Sequence, residues 1–85
     1  MITKETVIAQ ITAYLRHEIP LESLVDWAEK CFMDELFDEQ HHTEIRNAIA
    51  RLGVADVRAF GLTWDDCIEL LESLGYTARI EIVSL

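Results

Sequence analysis

Basic residues are scarce in this chain: 7 Lys and Arg stand against 16 Asp and Glu, for a formal net charge of −9. A phosphate backbone is held by a basic surface that releases its counterions, so this balance excludes autonomous nucleic-acid binding. Glycine is rarer still. Gly53, Gly61 and Gly75 stand far apart, and no Gly-rich loop that cradles phosphate exists. No apolar run approaches the roughly 20 residues that cross a bilayer. The stretch Met1 to Glu5 shows no charged-then-apolar leader, so the expected setting is cytoplasmic with no membrane partner. The two cysteines, Cys31 and Cys67, are far apart inside apolar helical patterns. Such residues read as small buried hydrophobes, because a cytosolic disulfide is reduced and a zinc site needs further ligands at suitable spacing.

What remains is a short, apolar, acidic chain. With 85 residues there is room for one domain, 1–85. Size scaling leaves roughly 5,000 Å² of accessible surface on a folded chain of this mass, against about 14,000 Å² unfolded. The 51% of apolar residues suffice for a core, but not for a deep internal active site as well.

The apolar spacing predicts helices. Thr3 is placed to cap a first helix that runs to about His17, with Val7, Ile8, Ile11, Tyr14, Leu15 and Ile19 on one side. Pro20 breaks the chain, because it lacks a donor and disfavours helix at the preceding residue. A second helix covers about Leu21 to Leu36, burying Leu21, Leu24, Val25, Ala28, Cys31, Phe32 and Leu36, with Trp27 at the edge. Asp38 is the expected cap of a third helix with the core stripe Ile45, Ala48, Ile49 and Leu52, and Gly53 sits where a left-handed terminator is wanted. Residues 54–60 read equally as a short helix or a strand. Thr63 and Asp66 resemble a capping box for a fourth helix, whose face is Trp64, Cys67, Ile68, Leu71 and Leu74 and which Gly75 stops. Beyond it Tyr76, Ala78, Ile80 and Ile82 alternate with Thr77, Arg79 and Glu81, the pattern of a strand with one buried face. The expected fold is mainly α, a compact four-helix bundle with a short C-terminal β-strand, or α+β if residues 54–60 pair with that strand. Pairing with another chain, or lying as a strap across the bundle, are the other ways to occupy it.

Signals for catalysis are weak. No Ser or Thr stands in a recognisable arrangement with His and a carboxylate, so no catalytic residue is assigned and no enzyme is expected. Glu39-x-x-His42 has the spacing that places two ligands on one helix face in carboxylate-bridged bundles, which need a second such pair. None occurs, and His41 and His42 flank the third helix's core stripe, so they read as core-edge histidines, with no metal and no cofactor.

The acidic residues are clustered instead. Between Glu18 and Glu44 lie nine acids and one base, Lys30. At 100° per residue Glu22, Asp26 and Glu29 fall within a sector of about 60°. Asp65, Glu69 and Glu72 share a similar sector on the fourth helix. Like charges three or four apart cost a few tenths of a kcal/mol per pair, about 0.2–0.5, so helix stability does not account for them. They read either as solvated faces or as a docking surface for a basic protein partner. In the second reading Met33 and Phe37, in or beside the first sector, are the apolar anchors, with Trp27 as a further candidate; burial of Met33 or Phe37 removes that assignment.

The segment Ala13-Tyr14-Leu15-Arg16-His17-Glu18-Ile19-Pro20-Leu21-Glu22-Ser23-Leu24-Val25-Asp26-Trp27 resembles the opening helical hairpin of small acidic bacterial immunity proteins, the colicin D immunity family among them. Ala55 to Trp64 is similar to stretches in small bacterial proteins without assigned roles. Pro20 stands where that hairpin has a Ser-like cap. The resemblance implies an inhibitor that occludes the basic surface of a toxin and carries no catalytic residue. The competing expectation is a homodimerising interaction domain that pairs through Thr77–Leu85.

Overall fold

Thr3 and Thr63 start the first and last helices in the same way. The Thr3 hydroxyl accepts from the Thr6 amide at 3.2 Å, while the Thr3 amide donates to the Thr6 hydroxyl at 3.4 Å. The Thr63 hydroxyl accepts from the Asp66 amide at 3.1 Å, and the Thr63 amide donates to Asp66 Oδ2 at 2.8 Å. Each is a reciprocal capping box that satisfies amides the first turn leaves without partners. In a computed structural model that describes residues 1–34 and 37–84, the elements are α1 (Lys4–Leu15), α2 (Leu21–Asp34), α3 (His42–Gly53) and α4 (Trp64–Ser73). Glu35 and Leu36, expected at the end of the second helix, lie outside the described residues.

Helix ends differ in cause from the sequence reading. The α1 helix stops before Pro20 is reached, in a Schellman turn around His17. There the Glu18 amide donates to the Ala13 carbonyl at 2.9 Å and the His17 amide to the Tyr14 carbonyl at 3.0 Å. His17 takes the left-handed conformation, φ 61°, that glycine usually supplies. Pro20 instead opens α2, its carbonyl accepting from the amides of Ser23 and Leu24 at 3.1 and 3.3 Å. Asp38 does not cap α3. Its carboxylate accepts from the Gln40 amide two residues on, at 3.1 Å, and the helix begins after His41, itself left-handed at φ 66°. Gly53 ends α3 without a positive φ. Gly75 is the left-handed terminator, at φ 88°, in a second Schellman turn: its amide donates to Glu72 and that of Tyr76 to Leu71, at 3.0 and 2.8 Å.

The α3 helix is the centre of the bundle. It packs most extensively on α2 and also meets α1 and α4. Val7 and Ile11 of α1, Leu24, Ala28 and Cys31 of α2, Ile45, Ala48, Ile49 and Leu52 of α3, and Cys67, Leu70 and Leu71 of α4 form one buried cluster. Both cysteines are enclosed there. Trp64, expected on the core face, is 38% exposed, because at the first position of α4 no preceding turn covers it.

Two expectations about strands are corrected. Residues 54–60 form successive turns, with the Val57 amide bonded to the Val54 carbonyl and the Phe60 amide to that of Val57, so neither a helix nor a strand forms there. Residues 76–84 carry no ladder. Among the described residues the β-bridge is a parallel one between Ile2 and Phe37, with the Asp38 amide donating to the Ile2 carbonyl at 2.9 Å. Of the predicted buried face of the tail, Ala78 is packed against the core while Ile80 and Ile82 are 69% and 94% exposed. The chain keeps 6074 Å² of accessible surface, above the scaling value, and this uncovered tail contributes to the excess.

Candidate protein-docking face

Exposure on α2 follows its helical wheel. Leu24, Val25, Ala28 and Cys31 turn inward, and Glu22, Asp26 and Glu29 are exposed on the other side. Met33 lies at the middle of the same acidic sector and is 82% exposed. A large apolar side chain among carboxylates, with no core contact, is the combination the sequence pattern anticipates.

Phe37 is a different matter. It is 9% exposed and belongs to the core, where its ring meets those of Phe32 and His42 edge-on at 6.5 and 5.5 Å. The helical wheel places it beside the acidic sector only if α2 continues to it. The chain has left the helix by Phe37 and carries the residue beneath the bundle's end, held by the bridge to Ile2. The anchor assignment, which required both residues to stay exposed, therefore fails; of the two, Met33 is the one in solvent. Trp27 is half-buried against the core.

On α4 the carboxylates of Asp65, Glu69 and Glu72 are exposed as expected. The α2 and α4 rows sit on helices that each pack against α3. Among the described residues the one ion pair joins Arg51 Nη2 to Asp66 Oδ2 at 3.1 Å, outside both rows. Asp66 is held below the ordinary aspartate range by the hydrogen bonds from the Thr63 amide and hydroxyl, with Arg51 assisting against partial burial. Among the described residues none of the six row carboxylates pairs with a cation, so their field is directed at solvent.

One feature of this face was missed by the sequence reading. Between α2 and α3 runs an apolar groove of about 340 Å³, lined by Ala28, Phe32, Ile49, Ala50, Gly53 and Val54, with Glu29 at its lip. The signal was present in part: Ala28, Ala50 and Gly53 are small residues on facing helices. Pairing them needs the helix crossing, which a single sequence does not show. Glu29 joins this groove to the acidic row.

The histidine cluster does not assemble. His41 and His42 are both exposed, His42 resting against Phe37, and among the described residues no three His, Cys, Asp or Glu side chains converge on a possible ion. Among those residues no helix is long and apolar enough to cross a membrane. No family model, no curated protein and no solved structure matches this chain.

Proposed function

We propose that this chain is a small, non-catalytic protein-binding module whose α2 face docks a basic protein partner. Glu22, Asp26 and Glu29 steer the approach, and Met33 provides apolar contact area once the surfaces meet. Asp65, Glu69 and Glu72 extend the negative field from α4. The observation that carries this reading is Met33, 82% exposed, in the same angular sector of α2 as a row of carboxylates that has no internal counter-ion among the described residues. Isolated surface charge needs no such neighbour, and an exposed methionine is an adaptable contact. The sharper form is a cytoplasmic, immunity-type inhibitor that covers the basic surface of a toxin, in line with the resemblance of the α1–α2 hairpin. Such a protein acts by occlusion, which requires a charged face and a firm core rather than a pocket.

Capture experiments on the full chain test this. Wild-type protein retains a basic protein from a lysate at low salt, and the triple variant Glu22→Lys, Asp26→Lys, Glu29→Lys loses it. Association slows by at least tenfold between roughly 50 and 500 mM salt, since the screening length falls from about 14 to about 4 Å. Binding that survives both the reversals and the salt overturns the proposal.

A further inference from the structure

The tail after α4 has an unmet backbone and a self-complementary charge pattern. From Thr77 to Ser84 no main-chain group bonds to another described residue; the last such bond is that of the Tyr76 amide. The segment is rich in β-branched residues, and Ile80, Ile82 and Val83 are largely uncovered. An unpaired, apolar, β-prone segment is a template for pairing. Beneath it, between α1 and α4, lies a groove of about 400 Å³ whose walls include Ile8, Leu15, Trp64 and Leu71.

We infer that the tail pairs antiparallel with the same segment of a second copy, about a two-fold axis through Ile80. Charge complementarity selects this register. Arg79 and Glu81 are the charged residues between Thr77 and Ser84. A two-fold centre at residue 80 sets Arg79 opposite the partner's Glu81 and Glu81 opposite the partner's Arg79. Centring on 79 or 81 sets like charges against each other, as does parallel in-register pairing. A centre between residues 80 and 81 sets apolar positions against charged ones. The chosen register keeps Ala78, Ile80 and Ile82 on one face, with Ala78 opposite the partner's Ile82. Small Ala78, already against the core, leaves room for that isoleucine at the mouth of the α1–α4 groove. Ile82 is thereby covered in the dimer, although it is 94% exposed in the single chain. The acidic rows are not used, so this surface is independent of the α2 face.

Sedimentation equilibrium of the full chain, from about 1 to about 200 μM, reads the association. Wild type is expected to shift from monomer to dimer across that range. Arg79→Glu and Glu81→Arg each place like charges opposite and weaken association by about tenfold or more. The double swap, Arg79→Glu with Glu81→Arg, restores it. So does a one-to-one mixture of the two single variants, because a heterodimer then pairs every opposite charge. Both positions are exposed and outside the helices, so an unchanged helical circular dichroism spectrum certifies each variant as folded. Monomeric wild type at the highest concentration overturns the inference. So does a dimer indifferent to the single reversals, or a swap and a mixture that fail to recover.

Discussion

Arg51 of α3 reaches Asp66 of α4, Nη2 to Oδ2 at 3.1 Å, and the same carboxylate oxygen accepts from the Thr63 amide at 2.8 Å. One atom thus closes the α4 capping box and ties that helix to the centre of the bundle. The local partner is legible in the order Thr63-x-x-Asp66. The distant one is not.

This shared carboxylate makes stability depend on pH in a defined sense. The folded chain holds Asp66 below its ordinary value, chiefly through Thr63, so its contribution is complete above the unfolded value near 3.8 and is lost as pH falls through the lower folded value. The melting temperature of wild type is expected to exceed that of Asp66→Asn at neutral pH. The gap narrows as pH falls below about 4 and closes once the folded-state carboxyl is protonated, which thermal denaturation across the acid range measures.

Met33 and Phe37 are expected to separate cleanly. Phe37→Ala opens a space in the core and lowers the unfolding free energy by about 3 kcal/mol. Met33→Ala changes it by less than about 0.5 kcal/mol, because the side chain is already in solvent. Urea denaturation of the two variants provides the comparison. Equal effects contradict the burial assigned to Phe37.

The two Schellman turns predict opposite responses to substitution. Gly75→Ala forces an L side chain into φ 88° and costs about 1 kcal/mol, with no clash adding to it since nothing lies within 4 Å of the new methyl. His17→Gly relieves the same strain at φ 61° and stabilises by a similar amount, about 0.5–1 kcal/mol. Melting temperatures of the pair, moving in opposite directions, report it.

Cys67 is expected to be inert in the folded chain. Burial pushes its thiol above the ordinary range and the neighbouring Asp66 charge adds to this, against a smaller opposing effect of Arg51. A thiolate is the reactive form, so a disulfide reagent at pH 8 labels Cys67 only as fast as the domain opens. Labelling of the Cys31→Ala variant isolates this site. A rate unchanged by added urea contradicts its enclosure.

Much of the helical content was open to reading from local pattern. Val7 and Ile11, and Ile45, Ala48, Ile49 and Leu52, recur at the helical period and are buried. Thr3 and Thr63 precede helices because a hydroxyl reaches amides within one turn. The six carboxylates of α2 and α4 were legible as exposed rows for the same reason, since each wheel has one apolar side. Failures came where period two or period 3.6 was extended past its element. Phe37 was counted on a wheel that the chain had left, and Ile80 and Ile82 were assigned a buried face with no partner to bury them.

The sequence by itself determined where the helices lie, how three of their ends are made, and which side of each faces water. Those properties depend on residues within about four positions of one another, where hydrogen bonds and side-chain neighbours follow from chain geometry alone. Tertiary structure decided the rest: the bridge that draws Phe37 beneath the bundle to Ile2, the groove formed by Ala28, Ala50 and Gly53, and the second partner of Asp66. Each joins groups 15 or more positions apart. Their meeting is set by how whole helices cross, and that crossing is a property of the packed core rather than of any short stretch of sequence.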